Sequence, residues 1–464
     1  MKTKLKTTDP EFFGQEKIGK VLLIIAPPVM LAQLIQALYN IVDSFFVGRF
    51  SDDALTAITV IYPIQLIIVA LAVGTGVGVN TYMAKKYAMG QEEKANAAAG
   101  TGMVLALCTW VLLASVSYFI MPAYVKTSAS EPEALRQAVV YGRIVSVGSL
   151  FTLLEGNWSK VLQARGNMKI PMIAQIAGAL TNVAFDPLLI FGVGPFPKLG
   201  VAGAAIATVA GQAVSAVIVG GFAFRRPPKM RAMGHYVRQI YRLGYSSIAM
   251  QMLYTVYILL LNIILNGFSD EAVTVLGLYY KAQSFFFIPL FGLQTCIVPV
   301  LSFNYARRDA ARCRDTMRDS FVFSLAFMVV SVVCFVFVPE PLMRLFSRSD
   351  EVIRIGRTAF PIIGSGFLPA VFSLMMPVFF QAIGNGKTSL ALSLTRQIVC
   401  LVPLFYLFSR IGLDYAWLSF PVSETISGTI GLILYFRELG RWKRDPSFAK
   451  GLPATKDRQP AGKP

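Results

Sequence analysis

The chain reads as a series of long apolar runs joined by short polar links. The runs fall at about 21–46, 54–83, 97–122, 135–162, 170–195, 200–223, 240–266, 273–301, 318–339, 357–382, 389–411 and 413–436. A helix needs roughly 20 apolar residues to cross the hydrocarbon layer, and each run is of that order. Barrel strands are about ten residues long and alternate in polarity, which these runs do not. The pattern predicts an all-α integral membrane protein with twelve transmembrane helices.

The second half of the chain repeats the first. SDDALT at 51–56 matches SDEAVT at 269–274, and QARGNMK at 163–169 matches QAIGNGK at 381–387. Both matches share one shift of 218 residues, which also aligns Gln33 with Gln251. Six spans per half means that both halves enter the membrane in the same sense. Two parallel six-helix repeats follow, with a cavity expected between them near mid-bilayer. The expected organisation is an N-terminal cytosolic segment (1–20), a first bundle (21–223), a basic cytosolic linker (224–239), a second bundle (240–436) and a tail (437–464). The tail is basic and rich in Pro and Gly, and is expected to be disordered and cytosolic.

Composition agrees with a membrane solvent: 55% of residues are hydrophobic and 15% charged, against about 25% charged in soluble domains. The net charge of +18 sits in the links between runs, so a nucleic-acid partner is not expected. With the N-terminus inside, the tails and even-numbered loops hold roughly 31 of the Lys and Arg residues and the odd-numbered loops roughly 9. Both termini are therefore expected in the cytosol. The first run continues through Gln33 and Gln36 to Asp43 without a small-residue cleavage pattern, so it reads as a retained span. The five cysteines have no paired spacing and there is one histidine, His235, so neither a disulfide framework nor a metal site is expected. Gly74, Gly76 and Gly78 read as helix-packing residues; no Walker-type Lys-Ser/Thr follows them. With no nucleophile–base spacing either, the chain does not read as an enzyme.

The polar residues inside the spans carry the chemistry. Gln33, Gln36, Asn40 and Asp43 are spaced three, four and three, and fall on one helical face. Gln175, Asn182 and Asp186 share a face of the fifth span in the same way. A charged side chain at mid-bilayer costs at least ~2.5 kcal/mol and is kept where it meets a cavity or partners. Burial and a neighbouring carboxylate both favour a protonated form. Such a pair can hold either a proton or a cationic cargo, which is the minimum that exchange requires. At the 218-residue shift Asp43 corresponds to Leu261 and Asp186 to Leu404, so coupling is expected in the first half. The second half carries Lys281, Arg396 and Glu424 within its spans.

Gln36, Tyr39 and Asp43 ahead of Gly48, TNVAFDPLLIFG at 181–192, GVAGAAIAT at 200–208 and the SDDALTAI entry to the second span together resemble the multidrug and toxic compound extrusion (MATE) family. The resemblance covers roughly residues 15–440. It implies a secondary active efflux transporter, without cofactor, that exports lipophilic or cationic compounds in exchange for protons by alternating access. Asp43 and Asp186 would couple to the proton or cation. Gln36, Tyr39, Asn40, Tyr141, Asn157, Asn182, Thr208 and Lys281 would contribute to the pocket. Sodium at Asp43, Asn182 and Asp186 is the alternative coupling ion, and a lipid-linked oligosaccharide flippase of the same superfamily is the alternative function. Partners implied are small-molecule drugs or toxins and membrane lipid, with the chain a monomer. The charge pattern is checked by reporter fusion at Pro464: green fluorescent protein should fluoresce there and alkaline phosphatase should stay inactive, and the reverse would invert the topology.

Overall fold

The computed structural model describes residues 10–126, 132–344, 347 and 349–450. Among these the regular structure is helical throughout. The first repeat is α2 (Ile18–Phe50), α3 (Asp52–Ala88), α4 (Glu92–Lys126), α5 (Pro132–Ala164), α6 (Lys169–Phe191) and α7 (Val201–Ala223), after a single turn, α1 (Phe12–Gln15). The second opens with α8 (Met230–Asn266), α9 (Asp270–Phe286), α10 (Ile288–Ala306) and α11 (Ala310–Phe337). After α12 (Pro339–Arg344) come α13 (Asp350–Ser365), α14 (Phe367–Ile383) and α15 (Gly386–Leu394). A π-helical turn (Thr395–Leu401) leads into α16 (Val402–Ser409), α17 (Leu413–Ala416), α18 (Ser419–Arg444) and α19 (Pro446–Lys450). Among the described residues ten helical segments, one of them α15 to α16 taken together, are long and apolar enough to cross a membrane, and the bent pair α13–α14 makes an eleventh. The basic, more polar α18 occupies the twelfth position.

Three of the expected helices are interrupted. The run 273–301 is two helices, α9 and α10; the run 357–382 is bent by 54° between α13 and α14; the run 389–411 contains the π-helical turn. Each irregularity is followed by a proline: Pro289, Pro369 and Pro403. A proline offers no N–H to the carbonyl four residues back, and its ring collides with that carbonyl. At the 218-residue shift the first repeat has Leu71, Phe151 and Phe185, and α3, α5 and α6 run through those positions unbroken. The tail expected to be disordered from 437 is helical to Arg444 and again in α19, where the Phe448 ring stacks on Trp442 at 5.1 Å. The remainder of the tail lies outside the described residues.

The matching sequence motifs are helix caps. The hydroxyl of Ser51 accepts from the Ala54 N–H, and that of Ser269 from Ala272. Asn167 Oδ1 accepts from the Ile170 N–H and Asn385 Oδ1 from Thr388. The glycines before those asparagines, Gly166 and Gly384, have φ of 82° and 92°, a region open to glycine at little cost. These side chains satisfy helix-end N–H groups that nothing inside the helix can reach.

The described chain forms two compact units. One comprises Pro27–Ala84 and Gln91–Ile248; the other comprises Glu11–Ala26, Lys85–Gly90 and the residues from Ala249 on. The boundary within α2 falls between Ala26 and Pro27, and the helix is continuous through it. In the first unit α3 meets the leading part of α8 backbone to backbone: a Cβ on Gly78 would lie 2.3 Å from the Ile240 carbonyl oxygen, and one on Gly244 2.4 Å from that of Gly74. The packing role expected of Gly74 and Gly78 is thus met. The contact that matters most for the polar residues is between α6 and α7. A Cβ on Gly178 would come within 2.6 Å of the Gly211 carbonyl oxygen, and Ser215 Oγ donates to the Ala174 carbonyl at 2.8 Å. Gly178→Val should force these helices apart and lower stability by about 1–3 kcal/mol. Gly221→Ala, whose added methyl meets nothing within 4 Å, should be near neutral. Thermal unfolding of both variants in detergent measures the difference.

Candidate functional site

Five helices of the first unit bring polar side chains together: α2 with Tyr39 and Asp43, α3 with Gln65, α5 with Tyr141 and Glu155, α6 with Asn182 and Asp186, and α7 with Thr208. Asp186 is fully buried and Asn182 is 2% exposed. The Asp43 and Asp186 carboxyl groups adjoin closely enough to share a hydrogen bond when one carries a proton. Asn182 Nδ2 lies 3.4 Å from both Asp186 Oδ1 and Thr208 Oγ1. Tyr141, 1% exposed, accepts from Gln65 Nε2 at 3.3 Å and sits within hydrogen-bonding reach of Thr208. The phenol of Tyr39 is in electrostatic reach of Asp43, Glu155 and Asp186.

Three oxygens in this cluster are buried without a hydrogen-bond partner: Asp43 Oδ1, Asp186 Oδ2 and Asn182 Oδ1. Buried acceptors are ordinarily satisfied. Three unmet acceptors among two carboxyl groups and an amide form an electron-rich pocket, suited to a proton or a small cation with oxygen ligands. No group of three or more His, Cys, Asp or Glu side chains among the described residues is arranged to hold a metal ion.

The expected residues divide into four groups. Asp43, Asp186, Asn182, Thr208, Tyr141 and Tyr39 belong to the cluster described above. Gln36 and Asn40 are exposed on α2. Asn157 is buried on α5 against Gly102, with both ends of its amide unpartnered. Lys281 is exposed on α9 in the second unit. Glu424 lies in that unit too, bound by Arg396 rather than Lys281. Glu155 and Gln65 join the cluster from outside the two polar stripes. Glu155 accepts from Ser159 Oγ at 2.6 Å. The available signal for Gln65 was an amide in the middle of an apolar run, opposite no motif.

A family model described as MatE matches residues 28–188 and 246–407, more than half of the chain and one block in each repeat. The chain belongs to the MatE family. It is therefore a membrane transporter and not an enzyme. Among relatives, a protein of Shewanella oneidensis named FAD transporter is 26% identical over 89% of this chain and 93% of its own length. The multidrug export protein MepA of Staphylococcus saprophyticus is 22% identical over 92% of this chain and 95% of its own. The fold is similar to that of a multidrug resistance MATE family transporter solved in an outward-facing conformation, with a TM-score of 0.88, 21% identity, and coverage of 95% of this chain and 100% of that one. All five cysteines are free.

Tyr141→Phe removes the acceptor of the Gln65 amide and a neighbour of Thr208. It should cost about 1 kcal/mol, the net worth of one hydrogen bond. Equilibrium denaturation in detergent against the unaltered protein measures it; no loss would mean that water replaces the phenol.

Proposed function

We propose that this MatE transporter is a secondary active multidrug efflux protein that exports lipophilic and cationic compounds in exchange for protons, by alternating access. Asp43 and Asp186 form the coupling pair. The observation that carries this reading is the meeting of two carboxyl groups from different helices, each with an unpartnered buried oxygen, beside Asn182. Two negative charges side by side in a low-dielectric interior are costly, and a proton or a cation relieves the cost. Binding one therefore displaces the other, and opposing gradients become linked. The relatives named for multidrug export support the cargo class.

The energetics bound the stoichiometry. Moving a monovalent cation out against an inside-negative potential costs ~2.3 kcal/mol per 100 mV. Exchange for one proton is electroneutral and draws on the pH difference alone; exchange for two draws on the voltage as well. The protein acts in the bacterial cytoplasmic membrane as a monomer, with both termini in the cytosol.

Sodium is the second reading, favoured by the amide oxygen of Asn182, which is a sodium-type ligand and carries no proton. The lipid-linked flippase is disfavoured because a pyrophosphate calls for a strongly cationic site, and the Arg396–Glu424 pair carries no net charge. The relative named FAD transporter makes FAD a cargo to test beside the drugs.

Purified protein in liposomes separates these readings. A pH gradient or a sodium gradient is imposed alone, and movement of ethidium or FAD is followed. Ethidium should move with the pH gradient, and Asp43→Asn or Asp186→Asn should reduce coupled movement at least tenfold without unfolding the protein. Movement driven by sodium alone would replace the proton with sodium, and pumping by both variants would remove the aspartates from the mechanism.

A further inference from the structure

The second unit holds a buried ion pair that the coupling reading does not use. Arg396 Nε donates to Glu424 Oε1 and Oε2 at 3.0 and 2.9 Å, and Nη2 donates to Oε1 at 2.6 Å. Each residue is 9% exposed. Ser373 Oγ donates to the same carboxylate, and Ser423 Oγ to the Arg396 carbonyl at 2.8 Å. The arginine is therefore fixed from two sides. It sits on the π-helical turn Thr395–Leu401, whose wider winding buries both Arg396 and its neighbour Gln397; such turns recur at functional sites.

Two features show that this pair is not closed on itself. A guanidinium has five N–H donors, and Glu424 takes only the Nε–Nη2 edge. The Nη1 edge has no acceptor among the described residues. Beside it on the same turn, Gln397 Oε1 is buried without a partner, while Tyr280 Oη and Ser427 Oγ lie within hydrogen-bonding reach of Tyr257 and Cys400. A donor edge and an acceptor that the protein leaves unmet, one residue apart, call for a partner from outside the chain. Aromatic surface adjoins it. Tyr257 and Tyr279 are in electrostatic reach of Arg396, and the rings of Tyr257 and Tyr279 lie 6.3 and 4.9 Å from that of Tyr280.

We propose that Arg396 is a recognition site for the carboxylate of aromatic, zwitterionic cargo, with Glu424 as its positioning residue. Glu424 orients the guanidinium so that Nη1 is presented, and tempers its charge so that the site does not hold an anion too tightly to release it. The carboxylate accepts from Nη1 while the ring system packs on the tyrosines. The choice of ligand class rests on the drug-transport reading; the assay does not, because it measures equilibrium binding with no gradient.

The test uses the full chain in detergent and two probes: rhodamine B, an aromatic zwitterion with a free carboxylate, and tetraphenylphosphonium, an aromatic cation with no oxygen. The double variant Arg396→Met with Glu424→Leu replaces the pair by apolar residues of similar volume, a change that buried ion pairs often tolerate. It should weaken rhodamine B binding about tenfold or more, the worth of one charge-assisted hydrogen bond, and leave tetraphenylphosphonium within about twofold. Glu424→Gln keeps the shape but removes the competing charge, so it should tighten rhodamine B binding. A merely structural pair predicts the opposite: loss of both probes together in both variants. That result, or rhodamine B affinity unchanged in either variant, overturns the proposal. An unaltered protein that binds neither probe overturns both this inference and the drug-transport reading.

Discussion

Hydrocarbon offers no hydrogen bonds, and everything in this protein follows from that. Every backbone group must be satisfied within the chain, which leaves helices as the available form. Every polar side chain inside a span must then be accounted for by a partner or a guest. Most are. Ser215 reaches a carbonyl on α6, Gln65 reaches a phenol, and Arg396 reaches Glu424. Oxygens of Asp43, Asp186 and Asn182 are among the buried polar atoms that find none, and these three belong to one cluster.

The bundle places those oxygens by bringing backbones close. Gly178 and Gly211 let α6 and α7 touch main chain to main chain, and Asn182 is thereby brought to Thr208. The polar cluster depends on small residues that carry no chemistry, and a side chain added at Gly178 would disturb Asp186 without touching it.

Much of this was legible in the amino-acid sequence because it is local or periodic. Apolar runs set the spans, and a spacing of three and four put Asn182 and Asp186 on one face. The repeat survives at Ser51 and Ser269, and at Asn167 and Asn385, because a helix end dictates its capping residue whatever packs nearby. The meeting of Asp43 with Asp186 was expected from two separate stripes, each visible alone. What was not legible depends on partners distant in sequence. Arg396 and Glu424 are 28 positions apart on different helices, and each is visible in the sequence as a charge within a span while their pairing is not. Gln36 and Asn40 share a face with Asp43, yet they are exposed whereas Asp43 reaches α6. The interruptions of α9–α10 and α13–α14 were also missed, since the apolar runs continue through Phe287 and Gly366 without a change in polarity.

The three prolines at 289, 369 and 403 give the duplicated plan a mechanical asymmetry. A helix interrupted in its backbone ladder is softer at that place than one continuous through it. The half of the chain that holds the paired acids is built on stiff rods at these positions, and its twin has joints there. Helix breaks and paired acids thus fall in opposite copies of one design, with Pro187 lying inside α6 beside Asp186 without ending the helix.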